Sequence, residues 1–303
     1  MHERAPGPSG DGGPAAGASG RGGSVVTAPI VVKIGGRALD EAASRGPLWN
    51  ALASLAREHA GGVVIVHGGG AAVDAHLVRL GMFTARAEGL RITPPEQMDE
   101  VAAVLAGRVN TLLVGLLLAA GVNAVGLRLG DAGAARCDLH RRAGTDLGRV
   151  GEVIGGEGGA WRALLRAGCT PVLSSIGFDE RGSALNVNAD DAAAAVARIL
   201  RAHALVLLTD VPGVRGQDGG TIVELDAARA ESLIDAGVIT GGMIPKARAA
   251  VATAEATGVP TVIASWDAPE HLRNLAHDAP VGTRFTAGAR SAPRVSLASD
   301  GHG

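Results

Sequence analysis

Lysine occurs at two positions in this chain, Lys33 and Lys246, against 26 arginines. The wealth of Ala, Gly and Arg points to a bias that replaces lysine by arginine wherever either serves, so the surviving lysines mark places where arginine fails. Arginine presents a rigid planar fork, whereas lysine carries a compact ammonium on a flexible stem. Close contact with phosphoryl oxygens is a setting that excludes the bulkier head. Lys33 lies inside the apolar stretch "VVKIGG", where a charge is costly without a partner or ligand; the plainer alternative is a side chain reaching solvent at a strand end. Lys246 stands in "TGGMIPKARAA", behind glycines and next to Pro245 in what reads as the first turn of a helix. Two lysines from distant segments can converge on one transferring phosphoryl group.

Three further segments carry chemistry. "VHGGGAAVD" sets Gly68, Gly69 and Gly70 between a buried strand and a helix, a turn whose backbone N–H groups suit a phosphate or carboxylate. It lacks the spacing of a dinucleotide fingerprint, and no glycine run ends in Lys-Ser or Lys-Thr as a Walker loop would. "ALNVNADDAAAAVARIL" runs from short polar residues into a helix; one of Asn186, Asn188, Asp190 and Asp191 serves as the cap, and four such residues exceed what a cap requires. "AEGLRITPP" puts Arg91 in a segment suited to a loop, where bidentate binding of a carboxylate competes with simple exposure.

The elements that must hold these residues alternate along the chain. "IVVKIGG", "LWNALASLAREHA", "GVVIVHGGG" and "AAVDAHLVRLG" give the strand, helix, strand, helix rhythm of a parallel sheet covered on both faces. "NAVGLRL", "TPVLSSIG", "ALVLLTDV" and "TVIASW" supply further buried strands, and "CDLHRRAGTDLGRVGEV" has the alternation and turn residues of a hairpin. Ligands of open α/β sheets collect outside the carboxyl ends of the strands. That directs attention to Gly35-Gly36, Gly68 to Gly70, Ser174-Ser175 and Thr209-Asp210. The most apolar stretch, "TLLVGLLLAAGVNAVGL", reads as a buried helix ending at Gly121 followed by a strand rather than as a membrane span. A single α/β unit with a lobe boundary near residue 200 is expected, between polar tails at 1–29 and 287–303 that read as disordered.

Composition closes off several classes. A net charge of -2 argues against electrostatic wrapping of nucleic acid, and the absence of Tyr with three Phe and three Trp removes base-stacking platforms. Cys137 and Cys169 have neither zinc spacing nor the number for a disulfide framework, which favours a reducing cytoplasm. The N-terminal stretch lacks the continuous apolar core of a secretory signal.

Taken in order, "KIGG", "HGGG", "GLRIT", "NVNAD", "LLTDVPGV" and "GGMIPK" closely resemble the acetylglutamate kinases of the amino-acid kinase family, over roughly Ile30 to Thr286. The resemblance implies a three-layer αβα sandwich around a mainly parallel open sheet of about eight strands. It implies an N-terminal lobe, 30–200, for the amino-acid substrate and a C-terminal lobe, 201–286, for ATP. The implied reaction is ATP-dependent phosphorylation of the side-chain carboxylate of N-acetyl-L-glutamate, the second step of arginine biosynthesis, with Mg²⁺ carried by the nucleotide and no metal held by the protein itself. Carried over by position, Lys33 and Lys246 match lysines that stabilise the transition state, and Asp190 matches an aspartate that orients both. Gly35, Gly36 and Gly68 fall in the phosphate-binding turns. Gly69, Gly70, Arg91 and Asn186 fall at the substrate, the last two gripping its α-carboxylate, while Thr209, Asp210, Gly213, Arg215 and Thr240 fall at the nucleotide.

Two features depart from that pattern. Asp191 follows Asp190 where a small or polar residue such as Thr is expected, which puts either an extra charge near the site or a solvated carboxylate on the helix face. Arginine-inhibited forms of the family resemble one another in an N-terminal helix that links dimers into a ring; residues 1–29 have no helical apolar period, so an arginine-insensitive homodimer is expected. A PII-type regulatory partner is compatible with the family, though no residue here indicates one. The competing readings are a kinase for a carrier-linked aminoadipate or glutamate, and a catalytically silent amino-acid-binding regulator on the same fold.

Overall fold

The computed structural model describes residues 27–41, 46–142 and 144–288. Almost all of both expected tails, and with them the reading of residues 1–29 as lacking a ring-forming helix, lie outside the described residues. From the N-terminus the elements are β1 (Ile30–Ile34), α1 (Arg37–Asp40), α2 (Gly46–Glu58), β2 (Val63–His67), α3 (Gly70–Arg79), β3 (Ala85–Ala87), β4 (Leu90–Ile92) and α4 (Pro95–Ala102). A π-helical segment, Ala103–Val109, leads directly into α5 (Asn110–Ala119). Then follow β5 (Ala124–Arg128), β6 (Arg136–Leu139), β7 (Val150–Gly155), α6 (Gly159–Arg166), β8 (Thr170–Ser174), β9 (Ile176–Phe178), β10 (Ala184–Val187) and α7 (Ala189–Leu200). The remainder comprises β11 (Ala204–Thr209), β12 (Glu224–Leu225), α8 (Ala227–Asp235), α9 (Met243–Thr257), β13 (Thr261–Ser265), a 3-10 helix (Pro269–His277) and β14 (Thr283–Phe285).

Eight strands form one sheet in the order β12-β14-β13-β11-β1-β2-β8-β5. The six central and N-terminal strands run parallel, and β14 turns antiparallel against β13. Side chains alternate across a strand, so β1 sends Ile30, Val32 and Ile34 into a core shared with α2 and α5, and Val31 into one shared with α6 and α7. A third core, under α8 and α9, includes Ile263 and Phe285. This is the expected three-layer sandwich. The expected hairpin forms as β6 against β7, within a second sheet of order β6-β7-β10-β9.

Three local expectations need correction. "NAVGLRL" forms a strand, but β5 is an edge strand of the main sheet and is only partly covered. The helix before it stops at Gly121 as expected, with Ala120 as its cap and Gly121 at φ 81°, but it buries only one face, with Leu113 and Leu117 inside and Leu112 and Leu118 exposed. The continuous run Pro95–Ala119 is long and apolar enough to cross a bilayer, yet it encloses the buried polar side chains of Gln97 and Asn110 and packs on the sheet. Finally, Arg91 belongs to a two-stranded hairpin, β3 with β4, and not to a loop.

Candidate active site

The parallel strands end at one rim, and the glycine turns follow there. Lys33 shares the face of β1 that α7 covers, and its Nζ lies 2.9 Å from Oδ1 of Asp190 in the first turn of that helix. The lysine side chain is 17% exposed and the aspartate 61%, so the carboxylate faces the solvent side of a cation seated deeper in the fold. The lysine folds across Gly35, where a Cβ would stand 2.9 Å from Nζ and 3.2 Å from Cε. Asn188 is the cap of α7, its side chain accepting from the N–H groups of Asp190 at 2.8 Å and Asp191 at 3.2 Å. This fixes the direction in which Asp190 projects.

The second glycine turn is tied to the first by a bond from Gly68 N–H to the Ile34 carbonyl, 3.3 Å. Gly69 has φ 155°, and a Cβ there would meet Leu105 at 3.0 Å and Val109 at 3.2 Å, both from the π-helical segment. Helix α3 starts at Gly70 without a side-chain cap, leaving its N-terminal dipole to face the cleft.

Beyond the turn, Arg91 is 7% exposed and bonded to the Asp74 carboxylate, with Nη2 donating to the Gly70 carbonyl at 2.9 Å. Arg86 reaches the other Asp74 oxygen at 2.6 Å. Burial works against the Asp74 charge, but hydrogen bonds and charge from Arg91 and Arg86 outweigh it and hold its carboxyl below the usual aspartate range. Asn186 donates to Thr93 Oγ1 at 3.0 Å, and that hydroxyl donates to the Arg91 carbonyl at 3.0 Å, so the two proposed carboxylate-binding residues are joined through Thr93. Lys33, Gly35, Gly36, Gly68, Gly69, Gly70, Arg91, Asn186 and Asp190 line one cleft of about 210 Å³.

Across Lys33 and Asp190 a second cavity, about 360 Å³, is lined by Thr209 at the end of β11 and by Lys246 in the first turn of α9. A third, about 410 Å³, is lined by Asp210, Gly213, Arg215 and Thr240. Gly213 is required there: its φ is 144°, and a Cβ would meet Thr283 Oγ1 at 2.7 Å. The residues assigned to the site from sequence thus line three cavities, the first two sharing Lys33 and Asp190 and the third starting at Asp210, next to Thr209; Ser174 and Asp191 line none of them. One pairing differs. Lys246 bonds Asp210 Oδ1 at 2.9 Å and Thr209 Oγ1 at 3.3 Å, so Asp190 pairs with Lys33 while Asp210 takes the other lysine.

Asp191 is exposed at its outer edge, yet desolvation and then the neighbouring Asp190 charge raise its carboxyl above the usual aspartate range; Glu152 adds to the effect and His140 opposes it. Asp74 and Arg86 escaped notice in the sequence. The only signal was position: Asp74 stands one helical turn after Gly70, on the face that meets whatever borders the turn.

The profile of the amino acid kinase family matches residues 28–265. The chain is similar to the acetylglutamate kinase of Vibrio cholerae serotype O1, with 42% identity over 257 residues, covering 85% of this chain and 97% of the relative. Among solved structures it is similar to a protein of Streptococcus mutans UA159, with 30% identity, a TM-score of 0.62, and 86% and 98% of the two chains covered. It is also similar to N-acetylglutamate synthase from Neisseria gonorrhoeae complexed with coenzyme A and N-acetyl-glutamate, with 25% identity and a TM-score of 0.67, covering 86% of this chain and 60% of that one.

Proposed function

The chain belongs to the amino acid kinase family, and we propose that it transfers the γ-phosphoryl group of ATP to the side-chain carboxylate of N-acetyl-L-glutamate, yielding N-acetyl-L-glutamyl 5-phosphate and ADP, in arginine biosynthesis. The observation that carries the reading is the Lys33–Asp190 pair bordering both the cleft lined by Arg86 and Arg91 and the cavity of Lys246, a cation at the junction of two compartments. The 42% identity to an acetylglutamate kinase over nearly its whole length supports that substrate.

The nucleophile is a carboxylate with a pKa of about 4, ionised at neutral pH, so no general base is needed. The protein's task is to bring two anions in line and neutralise the charge that spreads over the transferring group. In this reading Arg91 and Asn186 hold the α-carboxylate, with Asp74 and Thr93 fixing their orientation. The amides of Gly36, Gly69 and Gly70 and the N-terminus of α3 surround the reacting carboxylate and the phosphoryl oxygens, while the Gly68 N–H, bonded to the Ile34 carbonyl, holds the two glycine turns together. Lys33 approaches that group from the substrate side and Lys246 from the nucleotide side, and Thr209, Asp210, Gly213, Arg215 and Thr240 receive ATP. Mg²⁺ enters as part of the nucleotide and offsets phosphate charge.

The same reading assigns residues 30–200 to the amino acid and 201–286 to the nucleotide, in a cytoplasmic homodimer. The exposed apolar side chains Val78, Leu80 and Phe83 at and beyond the end of α3, with Leu112 and Leu118 on α5, favour self-association. The test is hydroxamate formation by purified protein and ATP with N-acetyl-L-glutamate, unacetylated glutamate and aminoadipate in parallel. Activity confined to N-acetyl-L-glutamate is expected; silence with that substrate, in folded protein that binds ATP, overturns the proposal.

A further inference from the structure

We propose that His67 and Asn110 are positioning residues for phosphoryl transfer: buried together beneath the second glycine turn, they hold the Gly68 carbonyl inward and thereby aim the Gly69 amide into the cleft. The role rests on the reaction proposed above, and neither residue touches the cleft itself.

His67 ends β2 and is fully buried, on the same face of the strand as Val63 and Ile65. Its Nδ1 lies 2.9 Å from the Gly68 carbonyl oxygen and its Nε2 lies 2.9 Å from Nδ2 of Asn110, which also lies 2.9 Å from the Val172 carbonyl. Those distances fix the protons. A carbonyl only accepts, so the Asn110 atom facing Val172 is the amide nitrogen, and its second hydrogen goes to His67 Nε2. Nε2 therefore presents a lone pair, the ring is neutral, and Nδ1–H donates to Gly68. Burial favours the same neutral state and lowers the imidazole to about 4.

The peptide unit transmits this arrangement. In a trans peptide the C=O and the following N–H point in opposite directions. A Gly68 carbonyl drawn down to the His67 ring leaves the Gly69 N–H pointing the other way, in a turn whose Gly68, Gly69 and Gly70 all line the cleft. Gly69 lacks a side chain to hold its conformation, so the restraint must come from outside.

The π-helical segment supplies the rest of the support. Its hydrogen bonds join residues five apart, which brings Leu105 and Asn110 to one face. Leu105 closes against Gly69 while Asn110 reaches His67. On its far side the Asn110 amide sits against β5 at Gly126, where a Cβ would stand 2.0 Å from Oδ1, so that strand leaves room for this side chain.

The test compares wild type with His67→Leu, His67→Asn and Asn110→Leu by kcat, KM for ATP and for N-acetyl-L-glutamate, and melting temperature. A misplaced catalytic donor costs up to about a hundredfold in rate. His67→Leu is expected to lower kcat by roughly 10- to 100-fold with both KM values within about threefold. Asparagine can place an N–H near the Nδ1 position, and His67→Asn is expected to recover most of the loss. A folded His67→Leu protein with wild-type kcat, or a His67→Asn protein no better than His67→Leu, overturns the inference. If the variants do not fold, ¹⁵N NMR of the wild-type imidazole at pH 6 decides: a neutral ring protonated on Nδ1 is expected, and a charged ring or the Nε2–H tautomer overturns it. Wild type inactive on N-acetyl-L-glutamate instead overturns the substrate reading, so the two failures are distinguishable.

Discussion

Replacing Lys33 by arginine keeps the positive charge and tests only the shape of the head that carries it. Nζ stands 2.9 Å from Asp190 Oδ1, and the side chain is so closely laid over Gly35 that a methyl group there would approach it to 2.9 Å. A guanidinium is broader and planar, and its donors lie in a fixed fork. It can satisfy Asp190 only by moving the charge away from the position the ammonium holds beside the glycine turn. The contribution at stake is that of one preorganised electrostatic donor, about 3 kcal/mol, or on the order of a hundredfold in kcat. Because the interaction belongs to the transition state, the loss should appear in kcat with KM for ATP little changed. The assay is hydroxamate formation at saturating ATP and N-acetyl-L-glutamate for wild type, Lys33→Arg and Lys33→Ala, with melting curves to establish folding. Lys33→Arg is expected to fail nearly as badly as Lys33→Ala. An arginine variant turning over within about threefold of wild type would refute both the reading of Lys33 and the premise that lysine survives where arginine cannot serve.

Arg91→Leu should raise KM for N-acetyl-L-glutamate by about tenfold or more, the scale of losing a charge-assisted bidentate contact, and leave KM for ATP unchanged; equal effects on both would place Arg91 outside the substrate cleft. Gly126→Ala forces a methyl group to within 2.0 Å of Asn110 Oδ1 and should destabilise the fold by roughly 1–3 kcal/mol, read as a lower urea midpoint. Acid stability follows from His67. Its folded value of about 4 lies below the ordinary 6.5, so the unfolded chain binds more protons between those limits and stability falls as pH drops through them, by about 3 kcal/mol in all. Urea midpoints measured between pH 7 and 4 should decline in wild type and decline less in His67→Asn; parallel slopes would contradict the buried neutral imidazole.

The central strands were legible because a parallel sheet covered on both faces needs continuous apolar runs, and "IVVKI", "VVIVH" and "ALVLLT" have no other economical reading. Edge and surface elements were less so. β5 carries an apolar sequence like the buried strands, but strand order decides that it lies at the sheet's edge, and strand order is set by crossovers that local pattern does not encode. The hairpin holding Arg91 is three residues on each side, too short for alternation to register. The π-helical segment left no trace either, since its sequence, "AVLAGRV", also suits an ordinary helix and only its packing on Gly69 distinguishes it. At the site, residue types gave the positions of the chemistry but not the pairing. The sequence reading gave both lysines to Asp190 and Asp210 to the nucleotide; finding Asp210 beside Lys246 required knowing how β11 and α9 lie against each other.

That pairing changes how the charge is delivered. Each retained lysine already faces a carboxylate at 2.9 Å, Asp190 for Lys33 and Asp210 for Lys246, so the four groups together carry no net charge. An incoming phosphoryl group therefore meets two oriented ion pairs and not two bare cations. Such a pair stabilises added negative charge only if the ammonium is nearer to it than the carboxylate, and the gain grows as charge moves toward the lysine side during transfer. The uncharged donors then carry more of the burden than a count of lysines suggests: the glycine amides and the N-terminus of α3 present positive ends with no counter-charge attached. It follows that removing Asp190 should not raise activity by freeing Lys33. Asp190→Asn keeps the shape and an acceptor for the lysine but loses the charge that fixes it; kcat is expected to fall by at least tenfold, on the scale of a misplaced donor. A rise in kcat would mean that the carboxylate merely neutralises its partner, and the orienting role would have to be abandoned.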